Sequence, residues 1–435
     1  MISPSKERVL NCDCGIFIRL GLKERISKLT LSSSDVRKEM ISRNYLHFNL
    51  NRILLLTVGL WPYQQSKFVR LQLTIFFSIL ITIVVFQLTT FLTSKCTVDL
   101  FANVFSSVLF FTFFIIKYCS FSLNNNVVKY LLEQMTYICN QLTDENEISI
   151  IKRYNSYGKY YTIVLMLFAV FVGFSLILYP FWPRIANILL FINETRTHAA
   201  LPLVTEYFVD QDRNFYLIIL HTTAATFIGG VAMLSTGTIL LVCQQYACGM
   251  FRIACYRIEQ AMTICKLRKN YEKNNLKNEL LIYKGLIYAV DMHREAMKFS
   301  NSMISKFKVM FFFLIAAGVL CGSFSLFRVI SFGYNIQELS LPLLYVIVLV
   351  VYMMISNYVS QEIMDHNNDV IITVYNVQWY LAPLHVQKMI LFLLQKGTKT
   401  FTLNLGTLFV GSLESAASLL STSISYFTVL YSTQH

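Results

Sequence analysis

Charge is what this chain most conspicuously lacks. Only 14% of its 435 residues are Asp, Glu, Lys or Arg and 55% are apolar, whereas an ordinary soluble domain carries about a quarter charged residues. That composition excludes a soluble enzyme. Catalytic signatures are missing as well: the sequence holds no P-loop, no GxGxxG after a strand, no HExxH and no GxSxG. A leader is not expected either, because MISPSKERVLNCDCGIFIRLGLKER is charged throughout and has no continuous apolar core. The ten cysteines look like a disulfide framework until they are placed. Cys12, Cys14, Cys139, Cys243, Cys248, Cys255 and Cys265 fall on one side of the apolar runs and only Cys96 lies in a loop on the other, so a disulfide scaffold is not expected.

What is present is a set of long apolar runs. A helix crossing the bilayer core needs about 20 apolar residues, and a charge at its centre costs at least about 2.5 kcal/mol. Seven runs meet that requirement, at approximately 71–92, 100–123, 160–182, 215–242, 309–327, 341–359 and 403–430, and the only charged side chains inside them are Lys117 and Glu414. Intramembrane catalysis or coupled transport would need paired ionisable groups at membrane depth. Two such groups in distant spans do not supply them, so catalysis is not expected, while a transporter stays open as an alternative that nothing in the sequence asks for. The expected fold is therefore an all-α membrane protein of seven transmembrane helices, and no enzyme.

The net charge of +13 would suit a nucleic-acid surface only on a soluble basic domain, so no nucleic-acid partner is expected. Its distribution is informative instead. Residues 1–70, 124–159, 243–308 and 360–402 hold 31 of the 37 Lys and Arg, while the opposite loops hold only Lys95, Arg184, Arg196, Arg213 and Arg328. Basic excess marks the cytoplasmic side, which puts the N-terminus inside and, with seven spans, the tail YSTQH outside. The sequon Asn193-Glu194-Thr195 falls in the 183–214 loop that this rule had already placed outside, making Asn193 a candidate glycosylation site.

The chain thus divides into a cytoplasmic segment 1–70, spans one to four over 71–242, a charged helical region 243–308, spans five and six over 309–359, a second cytoplasmic segment 360–402, and a last span with its tail over 403–435. Residues 43–60 have helical periodicity but are too short to span, and end at Trp61-Pro62; they read as an interfacial or re-entrant helix with Trp61 at headgroup level. The 243–308 region, free of Pro, reads as helices continuing spans four and five. The 360–402 segment carries Tyr375, Trp379, Tyr380 and the apolar stretch VQKMILFLLQ. So apolar a cytoplasmic segment has to be buried against another helix, within the chain or across subunits.

Span seven is the most patterned. Ser415, Ser418, Thr422, Ser425, Val429 and Ser432 follow steps of three and four, forming one stripe of small and hydroxylated residues opposite Leu413, Leu420, Ile424 and Phe427. Such a stripe is either packing glue between helices or the wall of a water-filled pore, with Val429 as an apolar constriction. A pore lined by one helix requires several subunits. Gly318 and Gly322 form a GxxxG suited to close packing. Glu414 either attracts cations at a pore or pairs within the protein. Aromatic residues concentrate in the outer halves of spans two to six: Phe101, Phe105, Phe171, Phe174, Tyr216, Phe324 and Tyr345, with His221 nearby. An apolar cavity with few polar anchors suits a small volatile or hydrophobic ligand, and these eight residues are its candidate lining.

Both ends of the chain resemble the insect odorant receptors. Tyr375-Asn-Val-Gln-Trp379-Tyr380, the helix VQKMILFLLQ and Ser423-Ile-Ser425-Tyr426-Phe427-Thr428-Val429-Leu430 are similar to that family's C-terminal signature, and Gly59-Leu60-Trp61-Pro62 to its N-terminal motif. The resemblance implies a ligand-gated, non-selective cation channel at the plasma membrane of a sensory dendrite. In it an odorant-binding subunit assembles with a co-receptor subunit, as a tetramer and without a cofactor. It further implies that Val429 is the gate and that Tyr375, Trp379 and Tyr380 belong to a cytoplasmic subunit anchor. The modest 243–308 region resembles a tuning receptor more than the co-receptor. A chemoreceptor of the G-protein-coupled type, without its own pore, and a gustatory-receptor-like channel remain the alternatives.

Overall fold

The computed structural model describes residues 49–64, 66–181, 203–211, 213–270, 276–331, 336–398, 401–405 and 409–433. Asn193 lies outside them. Leu50–His435 forms one compact unit, built almost entirely of helices: α1 (Asn49–Thr57), α2 (Lys67–Leu88), the single turn α3 (Thr90–Thr93), α4 (Val98–Leu123), α5 (Asn125–Gln141), α6 (Glu145–Leu178), α7 (Phe215–Asn270), α8 (Leu276–Ser331), α9 (Ile336–Asn376), α10 (Leu384–Gly397) and α11 (Leu413–Ser432). Short polar side chains start the helices by accepting from an orphan N–H: Ser66 from Val69, Thr97 from Leu100, Asp144 from Asn146 and Ser412 from Ser415. Cys96, Cys119, Cys139, Cys243, Cys248, Cys255 and Cys321 are free.

Among the described residues six helical segments are long and apolar enough to cross a membrane: Lys67–Thr93, Val98–Leu123, Glu145–Leu178, Phe215–Thr263, Glu279–Ser331 and Leu339–Asn376. The expected seventh span starts later than its apolar run. Residues 404–405 and 409–410 pair instead as an antiparallel hairpin, Asn404 opposite Val410 and Leu405 opposite Phe409, and the helix begins only after the Ser412 cap. Gly411 permits this: its N–H bonds to the Leu403 carbonyl oxygen at 3.0 Å, and a Cβ there would stand 2.7 Å from the Cβ of Ser360. What remains, α11, has 20 residues, about 30 Å at 1.5 Å per residue, which matches the bilayer core. Its many serines make it less apolar than the other six.

Helices α7 and α8, each of 56 residues, are far longer than a bilayer is thick. Their continuations beyond the apolar runs pack with the end of α9 and with α10. Met250, Phe251, Ala254, Leu286, Ala289, Val370, Val374, Val386 and Ile390 are all buried there. Polar pairs stitch this end of the bundle: His293 Nε2 to Asn367 Oδ1 at 2.8 Å, Tyr154 OH to His366 Nε2 at 2.7 Å and Gln245 Nε2 to Glu362 Oε2 at 2.6 Å. Arg257 reaches back to the first turn of α6, donating Nε to Glu147 Oε1 at 2.5 Å and Nη2 to Oε2 at 2.8 Å.

The Gly59-Leu60-Trp61-Pro62 motif closes α1. Gly59 sits at φ 72°, the left-handed conformation that ends many helices, while Leu60 N–H bonds to Leu55 O at 2.8 Å. The Tyr118 hydroxyl then donates to Val58 O at 3.0 Å, and Gln72 Nε2 to Thr57 O at 2.8 Å. Trp61, next to this cap, is only 7% exposed. The tight cap turns it inward, making it a core side chain.

Candidate functional site

The helices do not fill the middle of the bundle. A cavity of about 250 Å³ lies between α4, α6, α7, α8, α9 and α11, lined largely by apolar side chains such as Phe110, Phe113, Phe168, Met233 and Val348. Glycines shape it. Gly173 on α6 and Gly230 and Gly237 on α7 line the cavity, and a Cβ at each would meet nothing within 4 Å. A glycine inside a helix costs roughly 0.5–1 kcal/mol against alanine, yet these three are not needed for close packing. They hold space open. Adjacent Gly229 has the opposite role, because a Cβ there would collide with the Phe114 ring.

Polar groups on the wall are few: Lys117, Thr226, Gln244, Asn357, Ser360 and Ser415 are among them. Asn357 Nδ2 donates to Met353 O at 2.9 Å and Ser360 Oγ to Ser356 O at 2.8 Å, so both are tied into α9. Such a wall suits a small, mainly hydrophobic ligand oriented by one or two polar contacts. At its far side the cavity reaches Phe409, Val410 and Gly411 of the hairpin and Ser415 and Leu419 of α11. Whatever fills it touches the first turns of the last helix.

None of the eight aromatic and histidine residues singled out from sequence lines this cavity. Phe171, Phe174 and Tyr216 are 67%, 61% and 71% exposed, on outward faces of α6 and α7 where lipid or another subunit would cover them. Phe101, Phe105 and Phe324 do come together: Phe101 stacks on Phe105 with ring centroids 4.2 Å apart, and Phe324 meets Phe101 edge-on at 5.7 Å. Phe91, not foreseen, completes that cluster at 6.1 Å from each of Phe101 and Phe105. Tyr345 is buried and stacks on Phe110 at 4.2 Å, directly behind the cavity wall. His221 is fully engaged, Nδ1 with Tyr207 OH at 2.7 Å and Nε2 with Thr82 Oγ1 at 3.0 Å. It is a structural histidine joining α2 to α7. Sequence reasoning had flagged Lys117 as a lone intramembrane charge but had not placed it in a pocket.

The α11 stripe stands clear of the chain's own bundle. Ala416, Leu419 and Ser423 are the buried face of this helix, whereas Ser418, Ser425, Val429 and Ser432 are exposed and Ser415 and Thr422 are half-buried. Within one chain, therefore, most of the stripe is not packing glue. Its hydroxyls bond back to their own helix, Thr422 to Ser418 O at 2.8 Å and Ser425 to Ser421 O at 3.0 Å. Gly322 of the GxxxG lies against α11 instead: a Cβ there would be 3.5 Å from Ser423 Oγ. Glu414 is exposed in the first turn of α11, where a carboxylate favours the helix dipole. Tyr375 and Tyr380 are 69% and 60% exposed and Trp379 packs edge-on to Tyr380 at 6.1 Å, so these three leave an aromatic surface open beside α10. Among the described residues no group of His, Cys, Asp and Glu is arranged to hold a metal.

The family model described as 7tm Odorant receptor matches residues 97–424, three quarters of the chain, from just before α4 into α11. The chain belongs to the odorant receptor family. It is accordingly a multi-pass membrane receptor and not an enzyme. Two solved structures share its fold. The insect olfactory receptor OR5 from Machilis hrabei in complex with eugenol superposes with a TM-score of 0.72 at 15% identity, covering 90% of this odorant receptor and 100% of that chain. The same receptor described without eugenol gives 0.69 at 16% identity, covering 89% and 99%. No curated protein matches the sequence at a significant level.

Proposed function

We propose that this odorant receptor is the odorant-binding subunit of a ligand-gated, non-selective cation channel, assembled with a co-receptor subunit of the same fold as a heterotetramer. The observation that carries the reading is the cavity itself: a mostly apolar chamber kept open by three glycines, one wall of which is the start of α11. The eugenol complex of the Machilis receptor supports a small organic ligand for this fold. Burying roughly 200 Å² of ligand hydrocarbon at about 25 cal/mol per Å² gives about 5 kcal/mol before association costs, so the few polar contacts decide selectivity.

Gating follows from differential affinity. A ligand shifts the channel only if it binds the open arrangement more tightly than the closed one. Ser415 and Leu419 border the cavity, so a ligand that favours a tilted α11 moves Val429, three turns farther along, away from the pore axis. Exposed Ser418, Ser425 and Val429 support a water-facing stripe, and the open aromatic surface of Tyr375, Trp379 and Tyr380 supports an anchor to neighbouring subunits. The distribution of Lys and Arg supports a cytoplasmic N-terminus and an extracellular C-terminus, with Asn193 glycosylated outside. The modest 243–308 region supports a tuning receptor, and the plasma membrane of a sensory dendrite is its proposed location.

Expression with a co-receptor subunit tests this reading. Odorant-evoked cation current, together with surface staining of a tag placed after His435 on unpermeabilised cells, is expected. A silent channel across a broad odorant panel despite surface expression, or a cytosolic tag, contradicts it.

A further inference from the structure

We infer that the ligand of this cavity carries a carboxylate, held by Lys117; the inference rests on the cavity being the odorant site. Lys117 is 1% exposed and lines the chamber, and it is the one charged side chain among the described lining residues. It sits on α4 one turn beyond Phe113 and Phe114, which share the wall. The two ion pairs of the described residues, Lys129–Glu133 and Arg257–Glu147, leave it out. Its nearest recorded partner is the Tyr352 ring, 5.2 Å from Nζ to the ring centroid. A ring face only partly offsets what an amine loses on leaving water.

An apolar odorant would leave that amine where it is, with no acceptor. A short fatty acid would not. Its carboxyl and the amine hold one proton between them, whether the acid arrives neutral and transfers its proton to a neutral amine or arrives ionised to meet an ammonium, so the pair that forms carries no net charge. The charge-assisted bond is strongest in such apolar surroundings. The hydrocarbon tail then lies among Phe110, Phe113, Phe168 and Val348, in the space that Gly173 and Gly230 keep clear. An ester or alcohol of the same length fills the same volume without supplying the counter-charge, which makes Lys117 the specificity-determining residue of the site.

Equilibrium binding of radiolabelled hexanoic acid and methyl hexanoate to the full-length receptor in lipid nanodiscs tests this. In the unmodified receptor hexanoate should bind at least about tenfold more tightly than the ester. Lys117→Met should abolish that preference and leave ester binding in place, Lys117→Arg should retain it, and the cavity-filling Gly230→Phe should remove both ligands. Equal affinity for acid and ester in the unmodified receptor, with both lost in Gly230→Phe, overturns the carboxylate proposal and leaves the cavity reading standing. Binding that survives Gly230→Phe removes the cavity reading and this proposal with it. Absence of hexanoate binding overturns the carboxylate proposal. The acid–ester comparison in the unmodified chain decides the matter even if Lys117→Met does not fold.

Discussion

Ser323 of α8 shares its hydroxyl proton between the Val319 carbonyl of its own helix at 2.8 Å and the backbone oxygen of Ser423 in α11 at 3.0 Å, joining two helices a hundred residues apart. Both residues are buried, and Gly322 beside them lets α11 come close. This is the polar tie of a helix with only three buried residues in 20. A net hydrogen bond of this kind contributes about 1 kcal/mol. Ser323→Ala should therefore loosen α11 and raise the unliganded current by about fivefold at equal surface expression. An unchanged basal current would mean that the tie does not bias the gate.

The adjacent glycines of α7 should respond in opposite ways. Gly229→Ala places a methyl against the Phe114 ring and is expected to destabilise the receptor by about 1–3 kcal/mol. Gly230→Ala enters open space and should raise the helix's stability by about 0.5–1 kcal/mol while slightly shrinking the site. Thermal unfolding in detergent distinguishes them; equal melting temperatures would contradict the cavity geometry.

Arg257 and Glu147 form a two-pronged pair with side chains 21% and 9% exposed. Removing one partner strands the other, so Arg257→Ala should cost about 2 kcal/mol, while the double change to Arg257→Met and Glu147→Leu should cost much less. A double-mutant cycle on the melting temperature reads the coupling. Zero coupling would show that the pair does not hold α6 to α7.

Gly59→Ala imposes a side chain on a residue at φ 72°. The expected loss is about 1–2 kcal/mol, with freer α1 amides in hydrogen exchange. A neutral substitution would mean that the turn relaxes to another cap.

Hydropathy made six spans legible, because an apolar run free of charge has few alternatives to a membrane helix. It set the start of the seventh too early: residues 404–405 and 409–410 pair as strands, Gly411 packs against Ser360, and α11 begins only after Ser412. The stripe on α11 was visible as a periodicity, and its exposure follows from the buried face lying at Ala416, Leu419 and Ser423. The cavity lining was not visible. A phenylalanine facing lipid and one facing a cavity have the same composition and the same period, so Phe171 and Phe174 looked like lining when Phe113 and Phe168 are. Gly173, Gly230 and Gly237 carried the missing signal: glycines in the middle of helices, costly unless space is being kept.

Cysteine substitution along α11 tests the central claim most directly. If the receptor is the proposed channel subunit, then with a co-receptor subunit co-expressed and odorant present, a charged thiol reagent applied from outside should block current irreversibly in Val429→Cys and Ser425→Cys, act markedly more slowly without odorant, and leave Ile424→Cys unaffected. Reaction at Ile424→Cys with Val429→Cys untouched would put the stripe against protein or lipid and contradict a pore lined by this helix.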